Sequence, residues 1–345
     1  MSLRSEILDQ PQVLSRLLST HRERVLGVAR AISRRGFEFV FLAARGTSDN
    51  AGLYAKYLWG IRNQLPVALA APSMFSLYQS PPRLRGALVV GISQSGQSPD
   101  IIAVVQEGRR QGAVTLAVTN DPGSPLALAA EFVIDTDTGP EKSVAATKTY
   151  TAQLTAIALL SAGMDDRAES LEELERLPGW VDETLHLESQ IKGAVPRYRE
   201  MKQCVALGRG FNYATAQEWS LKLKELTYVA AAPYSAADFR HGPLAILERG
   251  FPVLAVAPQG EVLADMLDLI QGVSSSFEAD LTIISNVQAA LHLATTPLPF
   301  PSDTPEWLSP IVAIVPAQLF SHQLALEKGI DVEHPRGLQK VTKTW

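Results

Sequence analysis

Ala87-Leu88-Val89-Val90-Gly91-Ile92, running into Ser93-Gln94-Ser95-Gly96-Gln97-Ser98, is the stretch that decides how this chain folds. Its first half is continuously apolar rather than alternating, which suits a strand covered on both faces. Its second half is a turn of hydroxyls and glycine that opens onto a helical pattern. Phe39 to Leu42, Val114 to Val118 and Phe132 to Ile134 are runs of the same kind, with Gly, Asn or Asp close by. The segments between them are mostly long enough for crossover helices. This alternation predicts a parallel sheet with helices on each side.

The second half of the chain repeats the plan. Ala43-Ala44-Arg45-Gly46 closes one strand and Leu207-Gly208-Arg209-Gly210 another. Gly46 to Ser93 and Gly210 to Ala257 are both steps of 47 residues (93 − 46 and 257 − 210), and a later strand ends in Thr119-Asn120 or Ser285-Asn286. Three landmarks at similar spacing predict two similar three-layer α/β/α domains, each around a central parallel sheet. The expected boundaries are a helical segment over 1–30, domains over 31–175 and 195–330, and a tail over 331–345. The charged helical stretch from Asp165 to Gln190 joins the domains. Thr296-Pro297-Leu298-Pro299-Phe300-Pro301 reads as a rigid loop, and Pro310 to Lys328 as a final helix.

The 345 residues suit about two domains at roughly 150 each. With 46% apolar and 19% charged residues, the chain can build a core without disulfides or metal. A net charge of -5 with no compensating basic tract argues against nucleic acid and anionic membranes as partners. The single cysteine, Cys204, lies in an apolar run and reads as a buried structural thiol. No apolar stretch is read as reaching the ~18 residues of a membrane span, and the start has no signal-like core, which places the protein in the cytoplasm by elimination. No metal and no cofactor are expected.

Ligands of open parallel sheets sit beyond the carboxyl ends of the strands. There the first copy has Gly46-Thr47-Ser48-Asp49 and Ser93 to Ser98, hydroxyls and glycine between a strand and a helix start. A helix start attracts anions and hydroxyls add neutral donors, a combination that cradles a phosphate ester without Lys or Arg. One such segment alone reads as a helix cap; two at adjacent strand ends favour phosphate. Gly-Lys-Ser/Thr is absent, which argues against nucleotide hydrolysis. The second copy has Ala257-Pro258-Gln259-Gly260 instead, so it must supply something else. Its distinctive residues are Glu218, Lys222 and Glu225, at i, i+4 and i+7 on one helical face. They read either as a solvated salt-bridge face or as a reactive cluster. His241, before Gly242-Pro243, reads as a turn residue free to point into a cleft. His21, His186, His292, His322 and His334 are given no role.

These segments, with Gly139-Pro140-Glu141 through Thr147-Lys148 and Asp331 to Lys340, resemble paired SIS (sugar isomerase) domains. The likeness is greatest to the isomerase half of glucosamine-6-phosphate synthases and spans nearly the whole chain in order. It implies that Thr47, Ser48, Ser93, Gln94, Ser95 and Ser98 hold a sugar phosphate, with Val144, Ala146 and Gln339 also at the substrate. It implies Glu225 as the base moving a proton between C1 and C2, with Lys222 beside it, His241 as the ring opener lent by a second subunit of a homodimer, and Lys340 as the amine that forms an imine with the ketose. Ala146 stands where the family has serine, and Gln97 where it has glutamate. The glutaminase half of the synthase, with its N-terminal cysteine, has no counterpart here. The expectation is therefore an aminosugar-phosphate isomerase/deaminase that converts glucosamine 6-phosphate to fructose 6-phosphate and ammonia. The alternatives are another phosphosugar aldose–ketose isomerase or a deglycase and, from a different class, a sugar-phosphate sensor without turnover.

Overall fold

The computed structural model describes residues 2–165 and 168–340, so the last five residues of the expected tail lie outside the described residues. The chain divides into two compact units. The first comprises Gln12–Glu141, Lys148–Arg176 and the chain from Gln339; the second comprises the chain up to Pro11, Lys142–Thr147 and Leu177–Leu338.

The first unit is built on five parallel strands: β1 (Phe39–Ala43), β2 (Val67–Leu69), β3 (Ala87–Ser93), β4 (Val114–Thr119) and β5 (Phe132–Asp135). They lie in the order β2-β1-β3-β4-β5. β3 is buried along its whole length, as its continuous apolar run demands of a central strand. One face packs on the Pro99–Arg110 helix through Val89, Ile101, Val104 and Val105. Each fully buried Val or Ile there contributes about 1.5–3 kcal/mol.

The second unit repeats this order with β6 (Gln203–Gly208), β7 (Ala230–Ser235), β8 (Pro252–Val256), β9 (Asp280–Ser285) and β10 (Thr296–Pro299), arranged β7-β6-β8-β9-β10 and again all parallel. Val205, Leu207, Val253 and Ala255 face the Leu263–Phe277 helix in one core cluster. The 47-residue repeat is thus a repeat of topology.

Two expectations need correcting. The proline-rich segment is not only a loop, because Thr296–Pro299 pairs with β9. β10 is an edge strand, where the missing N–H groups of Pro297 and Pro299 have no second neighbour to serve. One helix, Ser309–Glu327, is long and apolar enough by length and composition to cross a membrane. It is instead a core helix, with 94% of that window buried.

Candidate active site

The order β2-β1-β3-β4-β5 reverses direction between β1 and β3, the switch point at which doubly wound sheets leave a crevice for ligands. The register pairs Ala43 with Gly91, so the residues following both strands emerge side by side. Thr47 and Ser48 come from β1, and Ser93, Gln94, Ser95 and Ser98 from β3, as the sequence indicates.

The hydroxyls are not spent on capping. The Thr47–Arg62 helix has Gly46 at its N-cap, and Ser98, the N-cap of the Pro99–Arg110 helix, makes no side-chain capping bond. Ser124, by contrast, accepts the N–H of Ala127 as an ordinary cap. Ser93 Oγ accepts from Gly96 N (3.1 Å), Ser95 Oγ from Gln97 N (3.3 Å), and Ser48 Oγ from Gln153 Nε2 (3.1 Å). Among the described residues none of these three serines donates to the protein, so each keeps its proton for an outside acceptor. Three neutral donors at adjacent strand ends suit a phosphate oxyanion. Gly96 makes the turn possible: its φ is +61°, and a Cβ there would lie 2.1 Å from Ser124 Oγ.

Two partners at this end were not foreseen. Gln153, on the Lys148–Asp165 helix and buried, orients Ser48. Arg45, beside a cradle expected to need no Lys or Arg, donates from Nε to the fully buried Asp100 at 2.9 Å while its side chain stays 48% exposed. The first unit also holds Lys340. Its Nζ lies 3.0 Å from Glu141 Oε2, and the tail is described up to this residue, whereas Gln339 is exposed.

In the second unit, Glu218, Lys222 and Glu225 share one face of the Tyr213–Thr227 helix, as their spacing requires. That face is buried rather than solvated. Lys222 and Glu218 have fully buried side chains, and Lys222 Nζ meets Glu218 Oε1 at 3.3 Å and Glu225 Oε2 at 2.5 Å. Burial pulls the Lys222 ammonium down, but the two carboxylates more than reverse this and hold it well above the usual lysine range. Two carboxylates thus share one permanent cation, and only Glu225, 21% exposed, reaches outward.

His241 follows the Ala236–Arg240 helix on an exposed turn, with Gly242 at φ +144°. Among the described residues its side chain has no hydrogen bond or ion pair, and it is not joined to Glu225. Val144 and Ala146 are half-buried in a loop whose start is fixed by a glutamate. Buried Glu6 accepts Lys142 N at 2.5 Å and Ser143 N at 3.3 Å. Glu333 accepts Leu3 N at 2.8 Å and Ser143 Oγ at 3.4 Å. Cys204 is buried in β6, and burial pushes its thiol up to about 12, which leaves it inert.

Two five-stranded parallel sheets in one order agree with a comparison against family models, in which residues 38–162 and 197–328 each match the SIS domain. The chain belongs to the SIS domain family. It is homologous to the isomerase domain of glutamine–fructose-6-phosphate aminotransferases. The aminotransferase of Aquifex aeolicus is 33% identical over 97% of this chain and 56% of its own length, so the chain spans about half of such relatives. A Silicibacter pomeroyi protein, described as a phosphosugar isomerase, superposes with a TM-score of 0.86 at 32% identity, covering 96% of this chain and 99% of that one. The C-terminal domain of glucosamine-fructose-6-phosphate aminotransferase from Francisella tularensis gives the same TM-score at 27% identity, over 96% and 98%.

Proposed function

We propose that this SIS protein is an aminosugar-phosphate isomerase that releases ammonia, taking glucosamine 6-phosphate to fructose 6-phosphate. The observation that carries the reading is the Glu218–Lys222–Glu225 cluster, which presents one carboxylate outward from a buried, permanently charged pair. A carbonyl shift between C1 and C2 needs a carbon-bound proton removed and returned, the work of a positioned carboxylate shielded from water.

In this mechanism Ser48, Ser93 and Ser95 donate to the phosphate, with Thr47, Gln94 and Ser98 around it. His241, supplied by a second copy in a homodimer, assists opening of the sugar ring. Glu225 takes the C2 proton of the open aldose and returns it to C1, which leaves a ketimine at C2. Lys340 enters at that carbon as the amine that exchanges with ammonia, a step plain isomerisation would not need. The names of the aminotransferase relatives favour fructose 6-phosphate as the ketose.

The test pairs two measurements. In Glu225→Gln, exchange of the C2 proton with solvent falls by at least about a thousandfold while sugar-phosphate affinity stays within about twofold. Unchanged exchange defeats the assignment. Ammonia release is then measured across phosphorylated amino sugars and glycated amines. Exchange without release marks a simple aldose–ketose isomerase, release only from glycated amines a deglycase, and binding without exchange a sensor.

A further inference from the structure

Glu141 is the residue that the proposed chemistry leaves without a task, and it is built with unusual care. Its carboxylate is fully buried, between the end of the first sheet and the start of the Lys148–Asp165 helix. Oε1 accepts Thr149 N at 3.1 Å, and Oε2 accepts Thr149 Oγ1 at 2.7 Å and Lys340 Nζ at 3.0 Å. A carboxylate taken wholly out of water needs such partners, and one of them is the primary amine of the closing segment, itself 24% exposed.

We infer that Glu141 is the acid–base partner of Lys340, holding its ammonium at rest and taking its proton when the imine forms; this rests on the role proposed above for Lys340. An ammonium has no lone pair and cannot attack carbon. At neutral pH a free lysine, with a pKa of about 10.4, is unprotonated in fewer than about one molecule in a thousand. Glu141 removes that limit. The ammonium passes one proton to Glu141, and the freed nitrogen attacks the C2 carbonyl of the ketose to give a carbinolamine. Glu141 returns the proton to the C2 oxygen, which leaves as water. The products are a protonated imine, one water and the original carboxylate, so charge and atoms balance without another reactant. Ammonia replaces water when the incoming carbon is a ketimine. The charged neighbours of Glu141 along the chain are cations: Lys142, exposed, follows it, and Lys148, buried, precedes Thr149. Neither could accept the proton. In the closing segment Asp331 pairs with His334, and Glu333 accepts Leu3 N and Ser143 Oγ.

The experiment traps the imine with fructose 6-phosphate and cyanoborohydride. The labelled Lys340 peptide is followed by mass spectrometry from pH 6.5 to 8.5, with rates corrected by a model imine. In the wild type, trapping changes by less than about threefold over this range. In Glu141→Gln it falls about a hundredfold at pH 7 and then climbs about tenfold per pH unit, since only amine already neutral can react. Trapping in Glu141→Gln at the wild-type rate and slope overturns the inference and leaves the proposed function standing. No label on wild-type Lys340 overturns both. If Glu141→Gln does not fold, the wild-type profile decides: flat supports the relay, and a tenfold rise per unit overturns it.

Discussion

The two sheets share strand order, direction and a 47-residue step, and they differ in what stands at their switch points. After β1 and β3 come serines that each accept one protein N–H and keep their own proton. After β6 and β8 come Arg209-Gly210 and Ala257-Pro258-Gln259-Gly260, with no serine. One feature persists in both copies. Arg45 pairs with Asp100 in the first turn of the helix after β3, and Arg209 pairs with Asp265 in the first turn of the helix after β8, at 3.1 Å. The arginine is therefore part of the scaffold, tying one strand end to the next helix. The serines and the buried Glu–Lys–Glu row are what each copy added. A duplicated frame has kept its joints and varied its loops, the part a rigid sheet leaves free to change.

The largest effect should come from the second copy's addition. Lys222→Met leaves buried Glu218 without its cation and should cost about 3–5 kcal/mol, read as a lower urea midpoint. The double variant with Glu218→Gln should recover part of it, and a loss under about 1 kcal/mol would mean that the cluster is less desolvated than the geometry says. Next comes the first copy's addition. Ser93→Ala should raise KM for a sugar phosphate by about ten- to a hundredfold with kcat nearly unchanged, since a hydrogen bond to a charged group is worth about 1.5–3 kcal/mol. Ala257→Ser, its counterpart in the second copy, should change neither constant; equal effects at both positions would erase the distinction between the sheets. The shared joint should give the smallest differences. Arg45→Met should lower stability by about 1–2 kcal/mol because Asp100 is fully buried, and Arg209→Met by less than about 0.5 because the Asp265 side chain is 37% exposed. Equal unfolding midpoints for the two variants would deny that burial sets the difference.

The sequence showed most of the frame because buried central strands carry a signal of their own. β1, β3, β4 and β8 are largely apolar runs whatever surrounds them. The edges were harder to read. β2 has only three residues, β7 reads Ala-Ala-Ala-Pro-Tyr-Ser, and β10 holds two prolines, because an edge strand satisfies one neighbour and tolerates residues that a central strand rejects. At the site, the serine turns were legible as local motifs. Helical spacing put Glu218, Lys222 and Glu225 on one face, but spacing does not say whether that face meets water or protein. The pairs Arg45–Asp100, Ser48–Gln153 and Glu141–Lys340 join residues 55, 105 and 199 apart, and only the folded chain brings them together.

The glutamate-fixed loop of the second unit bears on how the protein is made. The Leu3–Leu8 helix finds its partners 136 and 330 residues later, at Lys142 and Glu333. At about 5–20 residues per second, the gap before Glu333 is synthesised lasts roughly 20–60 s. For most of that interval Leu3 and Ile7, completely covered in the finished molecule, lack the Ser309–Glu327 helix that packs on theirs. The Leu3–Leu8 helix is thus among the last to dock, and a chain cut short before the Ser309–Glu327 helix would leave it a sticky, protease-sensitive patch of apolar surface.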